Sequence, residues 1–98
     1  MTGLAMAVQQ AGSLFGIPPS RITEQYGRRE NTHARAAVAW AARSAGLTYV
    51  AICAELGWSA KSTVTAACYK ADALRKTDKE FRRISDILAA KIAAGMAA

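Results

Sequence analysis

A chain of 98 residues with 52% hydrophobic residues has room for one compact core and is too apolar to be a disordered tail. Lys and Arg total 13 against 7 Asp and Glu, a net charge of +6, which suits a polyanionic partner. Alanine is the commonest apolar residue and aromatics are only 7%, so closely packed helices are favoured over a sheet.

Leu4, Val8, Ala11, Leu14 and Phe15 recur at three- and four-residue steps and predict a first helix over 3–15, ended by Gly16. The stretch Met1–Ala11 lacks a basic n-region and is interrupted by Gln9 and Gln10. Neither a signal peptide nor a membrane span is expected, and the location expected is the cytoplasm. Pro18-Pro19 opens a short helix over 19–25 with Ile22 inward. Tyr26–Thr32 reads YGRRENT, without apolar period, and predicts a basic loop carrying Arg28 and Arg29. A third helix over 33–45 buries Ala34, Ala37, Val38 and Ala41, with Trp40 beside them and Arg35 and Arg43 on other faces.

Thr48 is a good N-cap for a helix over 49–56. Gly57-Trp58 breaks it, Ser59 caps again, and a longer helix runs from Ala60 to about Arg75. A short helix, a turn with glycine and a longer helix make a helix-turn-helix pattern. Ile52 and Leu56 are expected to pack on Val64, Ala67, Cys68, Ala71 and Leu74. The opposite face then carries Lys61, Ser62, Thr65 and Tyr69, polar, short-chained near its start and free of acidic residues. Such a face fits the major groove. Thr77 is expected to cap a last helix over 78–94, with Phe81, Ile84, Ile87 and Leu88 as its stripe. The domain is expected to cover 1–94, with 95–98 frayed.

From Ala34 to Leu74 the chain resembles the C-terminal DNA-binding domain of the bacterial replication initiator DnaA, a Trp-repressor-like all-helical fold. LTYVAICAEL over Leu47–Leu56 is similar to the family's first motif helix. GWSAKSTVTAACYK over Gly57–Lys70 is similar to its signature GGRDHTTVxxAxxK, with Gly57, Thr63, Val64, Ala67 and Lys70 on matching positions. Val8–Ile22 resembles the family's opening helices, and Tyr26–Arg35 stands where its Arg-rich loop lies. The resemblance implies duplex DNA binding. The family's Arg-Asp-His triplet, which carries base contacts there, is here Ser59-Ala60-Lys61, so a different DNA site is implied. No GxxxxGK[ST] loop is present, so the initiator's ATPase chemistry is not expected.

The pattern and the resemblance together make a small all-α DNA-binding regulator the first expectation, bacterial or phage-encoded. Lys61, Ser62 and Thr65 are expected to meet base edges, with Ser59 and Ala60 close by. Arg28 and Arg29 would enter the minor groove or grip phosphate, and Arg35, Thr48, Thr63 and Lys70 would hold the backbone. Bland alternatives stay open: Thr48 and Ser59 as caps only, Thr63 bonded within its helix, Arg35 and Lys70 merely solvated. A phage packaging protein resembling a small terminase subunit, oligomeric through helix 78–94, is the second expectation, and a protein-interaction module that has lost DNA binding is the third. The DNA-binding readings admit a homodimer or larger oligomer. No cofactor is expected. His33 has no evident acid partner, and Cys53 and Cys68 lie on apolar stretches without CxxC or Cys/His clustering, so neither an enzyme nor a zinc site is expected.

Overall fold

The computed structural model describes residues 2–23 and 31–97, and these form six α-helices and no strand. Thr2 caps α1 (Gly3–Phe15), its hydroxyl oxygen accepting from the Ala5 N–H at 3.0 Å. Gly16, at φ +71°, ends the helix in the left-handed conformation that glycine takes without strain. The Ile17 N–H returns to the Gly12 carbonyl at 2.9 Å, which turns Ile17 back onto the core. The single-turn α2 (Ser20–Thr23) delivers Ile22 to full burial.

The centre of the molecule is α3 (Thr32–Ser44). One apolar stripe was expected there. Instead Ala34, Ala36, Ala37, Val38, Ala39, Ala41 and Ala42 are all buried, because α1 and the three helices that follow α3 pack around it on several sides. Methyl side chains let those helices approach its axis closely. An alanine-rich segment carries no period that distinguishes a half-buried helix from one buried all round.

α4 (Tyr49–Leu56) starts at Thr48, whose side chain accepts from the Ala51 N–H at 3.1 Å, as expected. It stops at Gly57, with φ +73°, where the Trp58 N–H bonds the Cys53 carbonyl at 3.1 Å. α5 (Lys61–Thr77) follows. Ile52 and Leu56 are buried in one core with Val64 and Ala71, and Ala67, Cys68 and Leu74 are half-buried against it.

Two expected caps are corrected. Ala60, in extended backbone, precedes α5 as its N-cap without any side-chain bond, and Ser59 stands outside the helix. The reason is Trp58: its ring is buried and its Nε1–H donates to the Ile22 carbonyl at 3.3 Å. The chain therefore leaves the core in extended form before it can coil. Thr77 belongs to α5, its hydroxyl donating back to the Ala73 carbonyl at 3.4 Å. Asp78 is extended and its carboxylate accepts from the Phe81 N–H at 3.0 Å, so it caps α6 (Lys79–Ala97).

Phe81, Ile84, Leu88 and Ile92 form the buried stripe of α6, while Ile87, expected among them, is half-buried. The helix continues beyond residue 94 to Ala97. Its last turns lie against the start of α1: a methyl group on Gly95 would stand 2.7 Å from the Gly3 Cα.

Candidate nucleic-acid interface

The burial of α5 divides it lengthwise. Val64 and Ala71 point into the core, and Ser62, Ala66, Tyr69, Ala73 and Lys76 lie on the exposed side. At 100° per residue these five fall within one sector of the helix. Small side chains flank a Tyr69 that is 74% exposed, so the helix presents a narrow ridge with an aromatic near its middle. Lys61 and Lys70, also exposed, stand on opposite flanks of that ridge.

Several expected site residues fall on or beside it. Ser62 is on the ridge. Thr65 is half-buried at its edge, and its hydroxyl donates to the Lys61 carbonyl at 3.4 Å. Thr63 is half-buried on the Lys70 side, and Ala60 is half-buried at the helix start. Ser59 and Thr48 are exposed. Arg28 and Arg29 lie outside the described residues.

Arg35 is corrected. It was expected at the DNA backbone, but it is buried, with Nη1 donating to the Ile22 carbonyl at 3.0 Å and its guanidinium 4.6 Å from the Trp58 ring centroid. A guanidinium can enter an alanine-lined interior only with such partners. Arg35 ties α2 and α3 to the turn ahead of α5, so it fixes where that helix starts.

The face is not free of acid, as had been expected. Asp72 is exposed one turn after Cys68 and lines a groove of about 280 Å³ with Tyr49, Thr65, Cys68 and Tyr69. Burial pushes the Cys68 thiol above its ordinary range; Asp72 adds to the rise and Arg43 opposes it.

Tyr49 and Arg43 join this edge without any signal in the sequence. The Tyr49 ring receives Lys61 Nζ at 4.8 Å and Arg43 Cζ at 4.3 Å from its centroid. Arg43 Nη1 also donates to the Leu47 carbonyl at 2.7 Å. These side chains come from α3, α4 and α5, so only the tertiary fold brings them together, and no sequence spacing signals it.

The far end of α5 is anchored by Arg75. Its guanidinium lies 3.8 Å from the Trp40 ring centroid, and Nη1 donates to Ser85 Oγ at 2.6 Å and pairs with Asp86 at 2.9 Å. Both ends of the ridge are thus held by arginines facing inward, and its exposed cations are lysines.

Among the described residues, no helix is long and apolar enough to cross a membrane, and no group of His, Cys, Asp and Glu is placed to hold a metal ion. Comparison with protein-family models, with curated proteins and with solved structures returns no match.

Proposed function

We propose that this protein binds double-stranded DNA, with α4, the Gly57 turn and α5 acting as a helix-turn-helix and the α5 ridge entering the major groove. One observation carries the reading: a ridge of small side chains around Tyr69, flanked by Lys61 and Lys70, on a helix whose opposite face is locked into the core. Small residues allow close approach to base edges, and flanking cations suit the phosphates on either side of a groove. The net charge of +6 supports the same partner. The likeness to the DnaA C-terminal domain belongs to this proposal, with a regulator in a bacterial or phage-infected cell as its finer form.

The test is anisotropy of a labelled duplex titrated across salt. Four to six phosphate contacts give a log–log slope of roughly −4 to −5, and binding without a slope contradicts backbone contact as the source of affinity. Selection from a random duplex pool then shows whether a consensus emerges.

A self-associating packaging protein is the second reading. It is favoured by an apolar groove of about 240 Å³ whose lining includes Leu47, Ala51, Ile92 and Met96, beside a Met96 that is 54% exposed. Sedimentation velocity separates the two: a ring-sized oligomer supports packaging, a monomer or dimer the regulator.

A further inference from the structure

We infer that Tyr49 is a positioning residue which holds Lys61 and Arg43 as one cationic pair directed at a single stretch of phosphate backbone, so that Lys61 is a backbone contact and not a base reader. This rests on the duplex-binding reading above and assigns one edge of that interface.

Two like charges share one ring. Lys61 Nζ and Arg43 Cζ lie 4.8 Å and 4.3 Å from the Tyr49 centroid. Among the described residues no carboxylate pairs with either cation. The negative face of an aromatic ring attracts a cation, and the Leu47 carbonyl takes one Arg43 N–H. Neither contact neutralises charge. Lys61 also stands in the first turn of α5, where the helix dipole disfavours a cation and no acidic side chain offsets it. Asp72 lines the groove beside Tyr49 without pairing with either cation, so two positive charges face one negative charge there among the described residues, and a phosphate diester is the anion that duplex DNA offers.

Its location decides between phosphate and base. The contact with Tyr49 draws the Lys61 ammonium towards α4 and α3, off the line of Ser62, Ala66 and Tyr69. A cation beside the ridge meets the strand that borders the groove, while the ridge itself faces the base edges. Thr48, the exposed cap of α4, precedes Tyr49 directly and extends the same edge.

The experiment compares the full chain with Tyr49→Phe, which keeps the ring, and Tyr49→Leu, which removes it. Binding is measured on a selected duplex and on a mixed-sequence duplex across salt, well below each variant's melting midpoint. Tyr49→Phe should match the parent. Tyr49→Leu should lose roughly three- to tenfold on both duplexes, with a salt slope about one unit shallower. The Lys61 ε-methylene protons should be shifted upfield by the ring in the parent and in Tyr49→Phe, and not in Tyr49→Leu. A Tyr49→Leu chain with parental affinity and slope overturns the inference, as does a loss confined to the selected duplex. If Tyr49→Leu does not fold, Lys61→Gln and Arg43→Gln replace it: non-additive losses support the pair, and additive losses overturn it. A parent chain that binds neither duplex at low salt overturns the duplex reading itself, and the Lys61 proton shifts then report separately on the positioning.

Discussion

The Arg35 guanidinium and the Trp58 indole share one acceptor, the Ile22 carbonyl, at 3.0 Å and 3.3 Å, and lie against each other at 4.6 Å from Arg35 Cζ to the ring centroid. Arg35 comes from α3, Trp58 from the turn before α5, and the acceptor from α2. A single carbonyl thus joins three segments at the turn that leads into α5.

Replacing Arg35 with Met keeps the stem and removes the charged donor and the stacking contact. The expected cost is about 2–3 kcal/mol of unfolding free energy, since hydrogen bonds from charged groups are the stronger kind. Trp58→Phe removes the Nε1–H donor and the pyrrole half of a buried indole, so about 1–2 kcal/mol is expected from the lost bond and the small cavity. Denaturant melts of both variants check the order. An Arg35→Met chain as stable as its parent would return Arg35 to the surface.

Gly3 and Gly95 lie where the backbones of α1 and α6 approach closely. A Cβ on Gly95 would meet the Gly3 Cα at 2.7 Å, and one on Gly3 would meet the Ile92 carbonyl oxygen at 2.9 Å. Gly95→Ala should therefore destabilise by about 1–3 kcal/mol through overpacking, although alanine is the better helix former by about 1 kcal/mol. Ala93→Gly, at an exposed position of the same helix, should show the propensity loss alone. A Gly95→Ala chain that melts higher than its parent would contradict this contact.

Asp72 is an acidic side chain lining the groove beside the ridge. Asp72→Asn removes a charge that would repel phosphate, so duplex affinity should rise by roughly two- to threefold at moderate salt. The same change removes a contribution that raises the Cys68 thiol pKa, leaving burial above and Arg43 below. More thiolate is then present near neutral pH, so Cys68 should react faster with Ellman's reagent. Slower reaction, or weaker DNA binding, would contradict the placement of Asp72 beside both.

What the sequence makes legible here is local. Thr48, Gly57 and the apolar positions Ile52, Leu56, Val64 and Ala71 announce α4, its stop and the inward face of α5, because caps, left-handed glycines and helical periods act within a few residues. Arg35 has no such signal, because an arginine among alanines looks the same whether it faces solvent or a buried carbonyl 13 residues away. Ser59 and Thr77 are good capping types displaced by their neighbours: a buried Trp58 delays the start of α5, and Asp78 offers α6 a carboxylate cap. The Arg43–Tyr49–Lys61 cluster is assembled by three helices and has no local signature.

The proposed interface has α5 meeting duplex DNA with its exposed ridge. The most direct measurement is a titration of isotopically labelled chain with duplex at low salt, followed through its backbone amide shifts. Perturbations are expected to concentrate over residues 60–70 and at Thr48 and Tyr49, with Arg43 following, while the exposed side of α6 around Arg83, Asp86 and Lys91 stays unchanged. Shifts confined to α1 and α6, or no shifts at all at low salt, would contradict duplex binding through α5.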